Sequence, residues 1–337
     1  MPSRDGREKP ARTGGLFLCV PAKSVAEHRW TALELAWLRL SVGCRAMPNL
    51  SLGERAARTT WRLAPQRLIS SVIGWGARRE LPRFIQSSLL RSYAKAYRVD
   101  PNEAEHPIEH YGSLQAFFTR RLGAGLRPMP GDPSLVVAPS DGTICEAGLA
   151  NDGKLLEAKG SLFTLGVLLA DDALAARLTG GPYVVIYLSP RDYHRVHFPV
   201  GGKVVSWSHI PGKLFPVGSS SVRREPGLFA RNERFVTVVD GPAGRCAIVM
   251  VAAVGVGHIT ASYDPEVATH AGGFASGTVR RRNLDPSPPV GRGEELGIFN
   301  LGSTTVTIFE PGRVELHDLN SNAQIKMGAP VGCILPR

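Results

Sequence analysis

With 337 residues, 43% of them hydrophobic, the chain can bury a sizeable core in one large or two modest domains. No run of 18 apolar residues occurs, so no transmembrane helix is predicted. Five scattered cysteines (Cys19, Cys44, Cys145, Cys246, Cys333) without a C-x-x-C pair exclude zinc-ligand spacing and a disulfide framework and point to a reducing compartment, while a net charge of +11 asks for an anionic partner, nucleic acid or an acidic membrane surface.

Met1 to Gly14 is polar, rich in Arg, Lys and Gly, and reads as disordered. Leu16 to Val20 is too short for a secretory core. Ala26 to Leu40 carries Trp30, Leu33, Trp37 and Leu40 at helical spacing, a short amphipathic helix with no chemistry attached. Between Met47 and Arg98 stand ten basic residues: Arg55, Arg58, Arg62, Arg67, Arg78, Arg79, Arg83, Arg91, Lys95 and Arg98. Only Glu54 and Glu80 oppose them. Trp61, Leu68, Val72, Trp75, Phe84, Ile85 and Leu89 are interleaved. Basic helices with an apolar face suit a membrane interface, and equally an ordinary helix packed on its own domain. Trp61 to Tyr97 reads as two or three helices, broken at Gly74-Trp75-Gly76 and at Pro82, and Ser113 to Leu122 as another short one.

From Leu135 the texture changes to short β-branched runs between turn signals: Leu135 to Val137, Val184 to Leu188, Phe235 to Val239, Ala247 to Val251 and Thr304 to Phe309. That is a mostly antiparallel β core, with Asp171 to Leu178 a helix between strands. Arg280-Arg281-Arg282 to Gly293 reads as an exposed, solvated loop. The fold class is therefore α+β, a mostly antiparallel β core preceded by N-terminal amphipathic helices. The expected organisation is a poorly ordered extension over 1–60, a basic amphipathic helical segment over 61–122, membrane-binding or packed on its own domain, and a β-rich domain over 123–337.

Three stretches carry chemistry. In Leu301-Gly302-Ser303-Thr304 a Gly-Ser step lies between two apolar runs. Gly302 has no Cβ, so its carbonyl can be approached closely. The Ser303 hydroxyl can attack it through a five-membered ring, turning the amide into an ester. Removal of the Ser303 α-proton then expels the upstream chain as a carboxylate. The dehydroalanine left behind tautomerises and hydrolyses to a pyruvoyl group, releasing ammonia, and the new ketone is an electron sink. Taken alone, the step equally fits a tight turn. In Ser189-Pro190-Arg191-Asp192-Tyr193-His194-Arg195-Val196-His197 two histidines stand three apart: one face of a helical turn, or opposite faces of a strand. Neutral imidazoles there suit proton transfer near pH 7, though edge-strand histidines would read the same way. In Pro139-Ser140-Asp141-Gly142, Asp141 caps a turn or orients a histidine.

These three stretches, in this order, resemble the bacterial phosphatidylserine decarboxylase proenzymes. Pro211-Gly212-Lys213-Leu214-Phe215 and Leu228 to Arg234 resemble two further blocks of that family, and the likeness runs from about Arg62 to the C-terminus. Ser140 stands where Ala is common. The resemblance implies self-cleavage between Gly302 and Ser303 into a β chain (1–302) and an α chain (303–337) that remain associated. It implies a relay of Asp141, His197 and Ser303, with His197 as base and Asp141 holding its ring, and a role for His194 in the decarboxylation. Ser303 would become the covalent pyruvoyl (pyruvate) cofactor, forming a Schiff base with phosphatidylserine on the way to phosphatidylethanolamine, with no metal required. The enzyme would sit as a peripheral protein on the cytoplasmic side of the cell membrane, on an anionic surface, with homo-oligomerisation left open. A membrane-associated serine hydrolase acting on lipids is the rival enzyme, but no G-x-S-x-G elbow occurs. A basic nucleic-acid-binding β domain is the rival of another class, but the basic density lies in the N-terminal helices rather than on the core strands.

Overall fold

The computed structural model describes residues 51–157, 161–255, 258–269, 277–300 and 303–336. The helix expected over Ala26 to Leu40 and the disordered reading of Met1 to Gly14 lie outside them. The fold is α+β, and every ladder between described strands is antiparallel.

Three helices come first: α1 (Leu52–Leu63), α2 (Gln66–Arg78) and α3 (Arg83–Tyr97). A capping box of Ser51 and Glu54 starts α1. The first break falls at Ala64-Pro65 and not at Gly74-Trp75-Gly76, which sit inside α2. A proline forces the residue before it out of helical geometry, and Ala64 is extended (ψ 139°). Helical glycine costs only about 1 kcal/mol, and Gly74 lies on the buried stripe of α2, where a small residue fits. Pro82 does separate α2 from α3. The short helix α4 (Leu114–Phe118) follows, capped by Ser113.

The strands are β1 (Leu135–Val137), β2 (Gly142–Leu149), β3 (Lys154–Glu157), β4 (Ser161–Thr164), β5 (Pro182–Leu188), β6 (Arg195–His197), β7 (Gly202–Ile210), β8 (Arg234–Gly241) and β9 (Gly244–Val251). They continue with β10 (Ile259–Ala261), β11 (Arg280–Asn283), β12 (Pro289–Val290), β13 (Glu295–Phe299), β14 (Ser303–Phe309), β15 (Val314–Leu316), β16 (Gln324–Ile325) and β17 (Pro330–Ile334). Nine of them form the main sheet, in the order β11-β7-β8-β9-β14-β5-β2-β16 with β12 also on β7. Two three-stranded sheets, β10-β13-β6 and β1-β17-β15, and the hairpin β3-β4 complete the fold. Strands β5, β8 and β9 are buried nearly end to end, which is why they read as unbroken apolar runs rather than alternating ones.

Arg280-Arg281-Arg282 is an edge strand, β11, and not a solvated loop. All four β11 residues are exposed. Charge on such an edge guards against pairing with another chain. Arg281 reaches Asp171 (3.0 Å), while Arg282 reaches Asp264 and Glu266. In the core, the fully buried Arg234 guanidinium donates to the carbonyls of Val167, Leu168 and Asn232, and so caps the C-terminal end of the short helix Leu165–Leu169. Burial pushes its pKa down to about 9. Cys145, Cys246 and Cys333 are free thiols.

The two stretches Pro211 to Phe215 and Leu228 to Arg234 are packed on each other. Asn232, fully buried, accepts from Phe215 N (3.1 Å) and donates to the carbonyls of Phe215 and Ala252 (2.8 Å each). The helices are fastened to this region. Leu214 N donates to Gln66 Oε1 (2.8 Å), Gly255 N donates to Ser70 Oγ (3.0 Å), and the buried Glu225 carboxylate receives Arg58, Arg62 and Arg231.

Candidate active site

Strand β14 begins at Ser303 in the middle of the main sheet, between β5 and β9. Ser303 is the register partner of Leu188, the last residue of β5. The chain leaving β5 is the histidine stretch, which turns through residues 189–194 and then forms β6. The strand alternative for the two histidines is thus the one formed at His197, with His194 just before it. Strand β6 pairs with β13, and Phe299 N donates to the His194 carbonyl (3.0 Å). Asn300 N and Nδ2 both donate to the His258 carbonyl, and Gln115 Nε2 donates to Asn300 Oδ1 (2.7 Å). The chain therefore leaves the three-stranded sheet with Phe299 beside the His194 backbone and enters the main sheet with Ser303 beside Leu188, the residue just before the histidine stretch. Leu301 and Gly302 themselves lie outside the described residues.

The His194 ring is fully buried and stacks on Phe118 (centroids 3.9 Å apart). Its Nδ1 lies 2.8 Å from the Asp192 carbonyl, which can only accept, so Nδ1 carries the proton. Nε2 is then the basic nitrogen, and it has no partner among the described residues. Burial drives its pKa down to about 3, so the ring is neutral at physiological pH. His197 has the same tautomer for the same reason. Its Nδ1 donates to the Gly293 carbonyl (2.8 Å), and Nε2 accepts from the Tyr193 hydroxyl (3.1 Å). Burial lowers the pKa of His197 too. Tyr193, whose pKa burial pushes up to about 12, stays a neutral donor.

Asp141 is buried in the bend between β1 and β2. That bend is pressed onto β5: a Cβ at Gly142 would lie 2.4 Å from the Tyr187 carbonyl oxygen. The carboxylate receives Arg127 Nε (2.9 Å), Arg127 Nη2 (2.5 Å), Lys326 Nζ (3.2 Å) and Met327 N (2.8 Å). Burial alone would raise its pKa; the Arg127 and Met327 hydrogen bonds and the two cations outweigh burial and hold it below the usual range. The direct hydrogen bond from the His197 ring to Asp141, expected of a relay, is not formed here. Both ring nitrogens of His197 and all four contacts of Asp141 are taken by other groups. Asp141 instead acts on both histidines through its charge, which favours their protonated forms.

Arg127 and Tyr193 were not singled out by the sequence. Tyr193 lies inside the histidine stretch, but nothing in its spacing marks the hydroxyl. Arg127 lies in a proline-rich connection with no local pattern. A cavity of about 310 Å³ joins them, lined by Arg121, Leu122, Arg127, Tyr193, His197 and Met327 among others. A larger one, about 470 Å³, opens beside Arg91 and Lys95 on α3 and Arg98 at its C-cap, and includes none of the histidine-stretch residues.

The family model described as phosphatidylserine decarboxylase matches residues 114–333. A phosphatidylserine decarboxylase proenzyme of Myxococcus xanthus is 43% identical over 274 residues, covering 81% of this chain and 96% of the relative. That of Anaeromyxobacter sp. is 41% identical over 283 residues, covering 83% and 99%. That of Bordetella avium is 37% identical over 285 residues, covering 83% and 95%.

Proposed function

The chain belongs to the phosphatidylserine decarboxylase family, and from that premise we propose that it decarboxylates phosphatidylserine to phosphatidylethanolamine with a pyruvoyl group made from its own Ser303 at a membrane surface. The observation that carries this reading is the anchoring of the 300–303 connection: Phe299 on the His194 carbonyl and Ser303 on Leu188. Asn300 and Ser303, on either side of Leu301 and Gly302, are thus held at the end of β13 and at the end of β5, the two points from which the histidine stretch is also held.

Two buried polar atoms, Thr304 Oγ1 next to Ser303 in sequence and His194 Nε2, have no hydrogen-bond partner among the described residues, which leaves polar capacity for a ketone and its adducts. When present, the group supplies the electron sink that lets the amine-linked substrate lose carbon dioxide. His197 would take protons in self-cleavage through Nε2, once Tyr193 yields that position. His194, neutral and with Nε2 free of any hydrogen bond among the described residues, would handle a proton in the decarboxylation. Asp141 would stabilise the imidazolium in either step by charge rather than by contact. One observation favours a second reading, in which His194 is the self-cleavage base: its Nε2 makes no hydrogen bond among the described residues. Reduction with cyanoborohydride during turnover of labelled phosphatidylserine is expected to link label to residues 303–337 alone. Label on residues 1–302, or none, would refute the pyruvoyl reading.

The helices over 61–122 would form the membrane contact and 123–337 the catalytic domain. Support lies in an inversion of the usual surface-helix pattern. The buried stripe of α2 is small and polar (Gln66, Ser70, Gly74, Ala77), while Leu68, Val72 and Trp75 face outward at positions i, i+4 and i+7. On α3, Phe84 is 77% exposed and Ile85 and Leu89 nearly half exposed. Arg67, Arg78 and Arg83 are exposed beside them, and the Arg79 guanidinium lies 4.3 Å over the Trp75 ring. No described helix is long and apolar enough to cross a membrane. Arg58 and Arg62 are occupied by Glu225 and do not belong to this face. Removing two large apolar side chains from an interface costs about 1.5–3 kcal/mol each. The variant Trp75→Glu with Phe84→Glu is therefore expected to bind anionic vesicles at least about 100-fold more weakly in flotation. It should still turn over detergent-dispersed substrate. Unchanged flotation would remove the membrane role of this face.

A further inference from the structure

We propose that Arg127 is a positioning residue of self-cleavage, holding the Asp141 carboxylate ionised beside the two histidines and, together with Lys326, fastening it across the future cut. The proposal rests on the reading of Asp141 as a participant in self-cleavage.

The geometry is that of a built clamp. Asp141 is 1% exposed, and the Arg127 side chain only 7%. The guanidinium grips the carboxylate with two nitrogens, Nε on one oxygen and Nη2 on the other. Such a fork fixes the plane of a carboxylate, which a lysine cannot do. Arg127 is itself held, donating from Nη2 to Glu103 (3.1 Å) and from Nη1 to the Leu126 carbonyl (3.0 Å). The other two donors, Lys326 Nζ and Met327 N, follow β16 in residues 303–337. Lys326 also reaches Glu103 (3.4 Å). Each Asp141 oxygen thus takes one donor from the upstream segment and one from residues 303–337, Arg127 Nε and Met327 N on Oδ1 and Arg127 Nη2 and Lys326 Nζ on Oδ2.

Other charged or titratable groups around Asp141 are Arg120, Tyr193, His194 and His197, each of which feels its charge. Without Arg127, burial is opposed by Lys326, Met327 N and the more distant charge of Arg120. The carboxyl then gains a proton at higher pH, and the imidazolium loses its counter-charge there. Burial and an opposite charge act in opposite directions on a carboxyl, and one nearby cation is worth about 1–3 pH units.

The test follows the cut in full-length chain made by cell-free translation and shifted across pH 4–8, read by denaturing electrophoresis. Arg127→Gln is expected to move the acid limb of the rate profile up by about one pH unit. Arg127→Lys should bring the limb back toward its original place while leaving the plateau rate lower, because charge is restored and the fork is not. Lys326 is half exposed, so Lys326→Met should fold and shift the limb in the same direction by less. A uniform slowing of Arg127→Gln with the limb unmoved would overturn the proposal, as would an unmoved limb in Lys326→Met should Arg127→Gln fail to fold. Asp141→Asn provides the separate arm. If it cuts at the normal rate, the reading of Asp141 itself fails. If it is uncut while the Arg127 and Lys326 limbs stay in place, only the present inference fails.

Discussion

Replacing Ser303 by alanine is expected to leave a single uncut chain with decarboxylase activity at background. Alanine has no hydroxyl to add to the Gly302 carbonyl, so the amide cannot become an ester. It also has no β-oxygen to be expelled, so no route leads to a ketone. Both losses follow from one atom. The fold should not suffer, because the hold of β14 on the sheet comes from elsewhere. Val306, Ile308 and Phe309 are fully buried, and the strand is laddered on both sides, to β5 and β9. Each of those side chains contributes about 1.5–3 kcal/mol by burial. Thermal unfolding of the alanine variant should therefore lie close to that of the parent. Any cutting at residue 303 in this variant, seen on a denaturing gel, would show that the serine hydroxyl is not the nucleophile.

The second large effect separates the histidines. His197→Ala is expected to be uncut, and His194→Ala to be cut but slower in decarboxylation by about 10²–10⁴-fold, the usual contribution of a positioned acid or base. Both rings are neutral at pH 7 because burial lowers their pKa values, so either can take a proton from Nε2. What differs is hydrogen bonding: Tyr193 donates to Nε2 of His197, whereas Nε2 of His194 is buried with no hydrogen-bond partner among the described residues. Cut fraction and turnover per cut chain should be measured separately. The reverse pattern would transfer the role of base to His194, and equal cleavage defects would contradict the division of labour.

The β core was legible because its central strands are buried on both faces. Val184 to Leu188 and Ala247 to Val251 could only be interior strands once turn signals bounded them. The helix breaks were half legible: Pro82 acts locally, whereas the reading at Gly74 weighed propensity over the packing that wants a small residue there. Arg280 to Arg282 misled for a related reason, since an edge strand and a solvated loop share a charged composition. The histidines and the Ser303 step stood out by type and order. The partners of Asp141 did not, because Arg127 is 14 residues away and Lys326 is 185. No periodicity reports a contact that only the closed sheet creates.

The most direct test of self-cleavage is the intact mass of the purified protein under denaturing conditions. Two chains are expected, one ending at Gly302 and one of 35 residues (303 to 337), the latter blocked to N-terminal sequencing and reactive toward carbonyl reagents. Under native conditions the two should elute together, because β14, β16 and β17 are paired with β5 and β9, with β2, and with β1 respectively. A single chain of 36.3 kDa that is active on phosphatidylserine would contradict the self-made pyruvoyl group at Ser303.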